Sequence, residues 1–166
     1  MRPDGIFDVA RFRQAARIYI TAQEILVDHA SYPTPRLPRT VTCSARWAWG
    51  TPTWQPVDVD GDSLRQRAGR GICGAMTALL NGEGYRTSSP IASNIGTFAG
   101  YAENSEPMLD VMQMHRDAVE GIDDACPSYL KDAARECWDE CLASGRDHGF
   151  RNAQATVLAR PARLPS

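Results

Sequence analysis

The chain has 166 residues, enough for one domain with a core of its own. Its apolar fraction is 43 % and its charged fraction 23 %, the profile of a globular protein. A net charge of −2 removes the basic field that nucleic-acid binders carry, and no apolar run has the length of a membrane span. The N-terminal MRPDGIFDVARF holds no apolar signal core, so the reading is cytoplasmic, with no membrane partner. The five cysteines are then read as reduced thiols rather than a disulfide framework.

Asp8 is placed to cap a helix over 8–29. Phe12, Ala15, Tyr19, Ala22 and Leu26 recur every three or four residues and make one apolar stripe. Pro33, Pro35 and Pro38 then end regular structure. From 36 to 68 neither a helical nor a strand period runs, although Trp47, Trp49 and Trp54 crowd together. Ile72, Met76 and Leu79 predict a helix over 71–82, stopped near Gly82 and Gly84, with a short helix at 88–94 after it.

Ser105 is read as the cap of a helix over 106–119, with Pro107 in its first turn. Met108, Val111, Met112, His115 and Val119 share one face of it. Pro127 opens a helix over 128–144, on which Leu130, Ala134, Cys137 and Cys141 line one side and Gly145 is the expected stop. AQATVLA, at 153–159, reads as a short buried strand. This order points to an α/β protein, but one strand cannot make a sheet, so the domain is expected to be incomplete.

Cys137 and Cys141, with Cys126 and His148 nearby, offer donors that suit zinc. The C-x3-C spacing is not that of a zinc knuckle, and both thiols share a stripe with Leu130 and Ala134, so they are read as packing residues. His115 has the reach of a general base, but its apolar face favours a core histidine. His29 and His148 sit near helix C-termini, where a cation complements the dipole. Asp123 and Asp124 read as a solvated turn before Pro127. Gly69, Gly71 and Gly74 fit neither a dinucleotide fingerprint nor a P-loop. No nucleophile–base pair emerges from chemistry alone.

Four stretches, taken together, resemble the catalytic chain of adenosylcobalamin-dependent (class II) ribonucleotide reductases. They are DGIFDVARFRQAARI, HASYPTPRLPR, GICGAMTALLNGEGYRTSSPIASNIGTFAGYAENSEPMLDVMQMHRDAV and CPSYLKDAARECWDECLASGRDHGFRNAQATVLA. They stand in family order at near-family spacing. The resemblance implies a partial catalytic barrel domain over 1–166, mostly helical, from a ten-stranded α/β barrel left incomplete. Apolar helix faces are then expected to stay exposed, with self-association through them as an outcome.

Residues 36–68 and 160–166 depart from the family pattern. Where the family carries a segment like RTLGLGYANLG…GIPYDS, codons chosen for Ala48 to Trp54 and read from the third base give Leu-Gly-Tyr-Ala-Asn-Leu. Gly61 to Ala68, read from the second base, gives Gly-Ile-Pro-Tyr-Asp-Ser-Glu-Gln. Arg160 to Ser166, read from the third base, gives Thr-Gly-Thr-Ile-Ala-Phe-Leu. The expectation is a frameshifted internal fragment.

The family, by this resemblance, converts ribonucleotides to deoxyribonucleotides. Cobalt–carbon homolysis in adenosylcobalamin leads to a cysteine thiyl radical, which removes the ribose 3′ hydrogen. A cysteine pair supplies electrons, while an asparagine and a glutamate act on the substrate. None of these residues is matched here. Cys43 lies in the shifted stretch, and Cys73, Cys126, Cys137 and Cys141 are assigned to helices where the family needs only small or apolar residues. No catalytic residue and no metal ligand is therefore assigned, and cofactor-binding residues are left unknown. The fragment is expected to be inactive and to carry no adenosylcobalamin of its own. The competing reading is a small helical interaction module with Trp47, Trp49 and Trp54 as its binding loop.

Overall fold

A computed structural model describes residues 6–29 and 66–156. The tryptophan-rich stretch, Cys43 and the tail after 156 lie outside the described residues. Four helices follow in order: α1 (Val9–Asp28), α2 (Arg67–Ile95), α3 (Tyr101–Ala118) and α4 (Ser128–His148), with a 3-10 turn at Val119–Gly121.

Helix α1 starts as its sequence dictates, with the Asp8 carboxylate accepting from the Arg11 amide at 3.1 Å. Its inward face is not the apolar stripe. Ala16, Ile20 and Glu24 are buried, whereas Ala15, Tyr19, Ala22 and Leu26 are exposed and Phe12 is half-buried. The helix is rotated because its docking groups are polar. Arg13 and Arg17 reach a carboxylate on α2, and Glu24 takes two donors from the segment after α4. These pairs outweigh the apolar stripe. Ile18, Ile25 and Leu26 consequently face outward, Leu26 at 66 % exposure.

Helix α2 is continuous where a stop and a second short helix were expected. Its 29 residues span about 44 Å at 1.5 Å per residue. Gly82 and Gly84 are close-packing points rather than breakers. A Cβ on Gly82 would lie 3.1 Å from the Trp138 indole nitrogen, and one on Gly84 would lie 3.2 Å from the Ala155 methyl. Pro90 is carried inside the helix, and its carbonyl accepts from Ser93 Oγ and Asn94 Nδ2, each at 2.8 Å. The chain turns at Gly96 and Gly100, both at positive φ.

Helix α3 starts four residues before Ser105 and breaks at Asn104, whose φ of −123° is not helical. Asn104 Nδ2 donates to the Gly100 carbonyl there. Ser105 thus begins the straight part of a kinked helix rather than capping a free end. Met112 and Val119 are buried as expected, but Val111 is exposed and Leu109 packs on the core instead. Helix α4 opens on Pro127 and carries the expected buried stripe of Leu130, Ala134, Cys137 and Cys141. It runs three residues past Gly145 and ends at Gly149, whose φ of 71° suits glycine. Cys126 lies in the turn before α4, not on a helix.

The most extensive packing is α2 against α4, with α1 on α2 and α3 on α4 around it. Leu79, Trp138, Cys141, Leu142 and Phe150 form the centre of the core. Trp138 satisfies its ring N–H on the Ala78 carbonyl at 3.0 Å. A strand over 153–159 is not formed within the described residues. Gln154 makes a single bridge, and 157–159 lie outside them. The described part is helical, with one extended segment, 149–156, laid along α2.

Candidate functional site

The polar interior centres on two buried carboxylates. Glu83, on α2, has no exposed surface. It accepts from Arg86 Nε at 2.9 Å and Nη2 at 2.5 Å, from Arg13 Nε at 2.9 Å, and from Arg17 Nη2 at 3.5 Å. Arg13 also donates to Glu140 at 2.5 Å. Burial pushes the Glu83 carboxyl upward, but the hydrogen bonds from Arg86 and Arg13 outweigh it and hold the group below the ordinary carboxylate range. The Cys137 thiol donates to Glu83 at 3.4 Å.

Glu24, on α1, is 4 % exposed. It accepts from Arg151 Nε at 2.6 Å and Asn152 Nδ2 at 2.7 Å. Arg151 also reaches Asp28 at 3.1 Å. Each carboxylate therefore ties α1 to a different part of the helical layer.

Cys126, Cys137 and Cys141 are kept as thiols. Burial raises Cys141 to about 12, raises Cys137 further still, and lifts Cys126. Cys137 and Cys126 belong to separate core clusters, and His148 is exposed, so the structure does not assemble the donors weighed for zinc. Among the described residues no group of three or more His, Cys, Asp and Glu side chains is placed to hold a metal ion. His115 stacks on the Trp138 indole at 5.4 Å with a 17° tilt, and burial lowers its pKa. That is a packed, neutral imidazole at pH 7. Asp123 is held by Arg67 at 2.9 Å and by the Ala125 amide, which keeps its carboxyl low, and Asp124 pairs with Lys131. His29 Nδ1 lies 2.9 Å from the Ile25 carbonyl, at the end of α1.

An open pocket of about 340 Å³ lies between the start of α2 and the 3-10 turn, lined by Arg70, Gly71, Gly74, Gly121, Ile122 and Asp123. No nucleophile faces a base in it. The sequence reading missed both carboxylate centres. The signal available was an acidic residue between two glycines in GEGYR; Glu24 lies across α1 from the apolar stripe and gave no comparable signal.

Saturated carboxylates and buried thiols tie the helices of the described residues to one another. The chain belongs to the ribonucleotide reductase family, its barrel-domain model matching residues 1–162. It is 52 % identical over 160 residues to a vitamin B12-dependent ribonucleotide reductase of Rhodopirellula baltica, across 96 % of this chain and 15 % of that protein. It is 34 % identical over 158 residues to one from Streptomyces coelicolor, across 92 % of this chain and 16 % of that protein. With one from Bradyrhizobium diazoefficiens it shares 32 % over 175 aligned residues, 92 % of this chain and 14 % of that protein. The chain thus spans about 15 % of the length of the relatives it matches most strongly. The Rhodopirellula match runs through residues 36–68 as well.

Proposed function

We propose that this chain is a segment of the catalytic subunit of an adenosylcobalamin-dependent ribonucleotide reductase. It supplies outer helices of an α/β barrel and the extended segment that enters the barrel after α4. The observation that carries this is the barrel-domain match over residues 1–162, joined to a helical layer whose polar interior is spent on holding helices together. The substrate of the complete enzyme is a ribonucleotide, and its compartment the cytoplasm. No helix of the described residues is long and apolar enough to cross a membrane.

The pocket between α2 and the 3-10 turn does not by itself fit adenosylcobalamin. The pocket of about 340 Å³ is near the lower bound for a drug-sized ligand, about 300–1,000 Å³, and a corrin with its nucleotide and adenosyl arms is far larger. Both buried carboxylates are already filled by arginine and asparagine donors. The exposed apolar face of α1, with Ile18, Ile25 and Leu26, supports burial against further barrel or, in isolation, self-association.

The 166-residue chain alone is expected to show no turnover with adenosylcobalamin, a reducing dithiol and each of the four ribonucleotides. Product above a no-protein blank would place the catalytic residues inside this sequence and overturn the scaffold reading. The frameshift reading of 36–68 and 160–166 rests on the codon pattern alone. Sequencing the gene is expected to show the family motifs in the alternative frames, and codons that do not encode them there would end that reading.

A further inference from the structure

We propose that Asn152, held by Ser88 and Glu24, is a positioning residue that sets the register in which the chain leaves the helical layer and enters the barrel. The inference rests on the function proposed above. A single hydroxyl fixes both the side chain and the backbone of Asn152. Ser88 Oγ donates to Asn152 Oδ1 at 2.7 Å and accepts from the Asn152 amide at 2.9 Å. The Asn152 amide group then donates to Glu24 on a different helix at 2.7 Å. All three residues are buried: Ser88 fully, Asn152 at 1 % and Glu24 at 4 % exposure.

The contacts continue along the segment in step. Tyr85 OH accepts from the Ala155 amide at 3.3 Å, and Thr156 Oγ1 donates to Asn81 Oδ1 at 2.8 Å. Asn81, Tyr85 and Ser88 fall at i, i+4 and i+7, one row on α2. Helix α2 therefore measures off residues 152 to 156 like a ruler. A slip of one residue would take Asn152 off Ser88 and send the alternating side chains to the wrong face.

Burying a carboxylate, an amide and a hydroxyl is a poor way to gain stability and an effective way to specify one arrangement. In α/β barrels the segment after an outer helix enters the sheet, and the groups that act on substrate sit at strand ends. An error in register at 152 would therefore be delivered to the site.

Two measurements test this. In the 166-residue chain, Asn152→Asp sets two carboxylates against each other. It is expected to speed amide exchange at 151–156 by at least about tenfold while leaving α4 unchanged. Adding Glu24→Gln restores every hydrogen bond with donors and acceptors exchanged, and should restore protection. Unchanged exchange at 151–156, or an equal rise across α4, would overturn the proposal.

The second measurement grafts residues 6–29 and 69–156 into the Rhodopirellula baltica relative in place of the matching stretches, keeping that relative's own residues opposite 36–68. Asn152→Asp is expected to lower kcat about 100-fold, the cost of a misplacement near 1 Å, with KM changed far less. The Glu24→Gln, Asn152→Asp pair should recover most of it. A parental graft without turnover would count against the proposed function, and the exchange experiment would still decide the register claim. An active graft indifferent to Asn152→Asp would overturn the register claim alone.

Discussion

Replacing Glu83 with alanine is expected to cost about 3–5 kcal/mol, because it removes the buried carboxylate that holds two half-buried arginines and leaves them only the exposed Glu140. Arg13 and Arg86 both converge on this carboxylate, and their side chains are only 18 % and 22 % exposed. Against the roughly 5–15 kcal/mol that holds an ordinary domain together, such a loss would leave much of the chain unfolded at 25 °C. Urea denaturation at pH 7, followed by helical circular dichroism, measures it. A change below about 0.5 kcal/mol would put Glu83 in the class of exposed ion pairs and remove it as the anchor of α1.

The same group sets a pH dependence of known sign. Its carboxyl is held below its ordinary value in the folded chain. Its contribution is therefore complete above the unfolded carboxylate pKa, near about 4.3, and is lost as pH falls through the lower folded value. Glu83→Gln should flatten that acid limb while leaving the limb due to other carboxylates.

Helix positions were legible in the sequence wherever a cap or an apolar stripe was strong. Asp8 starts α1 and Pro127 starts α4 as the residue types dictate, and the Leu130–Ala134–Cys137–Cys141 stripe is buried throughout. Reading failed where glycine served packing instead of termination. Gly82 and Gly84 admit Trp138, Cys137 and Ala155 to the surface of α2, and Gly145 admits Phe150. A single chain cannot distinguish these from helix stops, because the partner that needs the space lies far away in sequence.

The inward face of α1 was not legible for a related reason. Hydrophobic periodicity assumes that apolar residues point inward, but here Arg13 and Glu24 point inward and Ile18 and Leu26 do not. Long-range charge pairing leaves no local period. The family, by contrast, was legible from serial agreement of motifs, none of which is catalytic. The polar centre at Glu24, Ser88 and Asn152 was invisible for the same reason as Glu83: its members are 64 to 128 residues apart.

The close approach of Phe150 to Gly145 gives a prediction in which a sign reverses. Phe150 is fully buried, edge-on to Tyr85 at 5.8 Å and Tyr101 at 6.3 Å. A Cβ on Gly145 would overlap the Phe150 ring outright, with Cζ nearest and Cε2 at 2.9 Å. Phe150→Ala alone should cost about 3–5 kcal/mol through lost burial and the cavity left behind. Gly145→Ala in the parent should also destabilise, because overpacking of about 1–3 kcal/mol exceeds the roughly 1 kcal/mol that alanine gains over glycine inside a helix. In the Phe150→Ala background the ring is gone and only the helix term remains, so the same Gly145→Ala change should stabilise by up to about 1 kcal/mol. The four proteins form a double-mutant cycle whose coupling energy reads the contact directly. Additive effects, with Gly145→Ala costing the same in both backgrounds, would mean that Phe150 does not rest on Gly145 and that the extended segment is seated elsewhere.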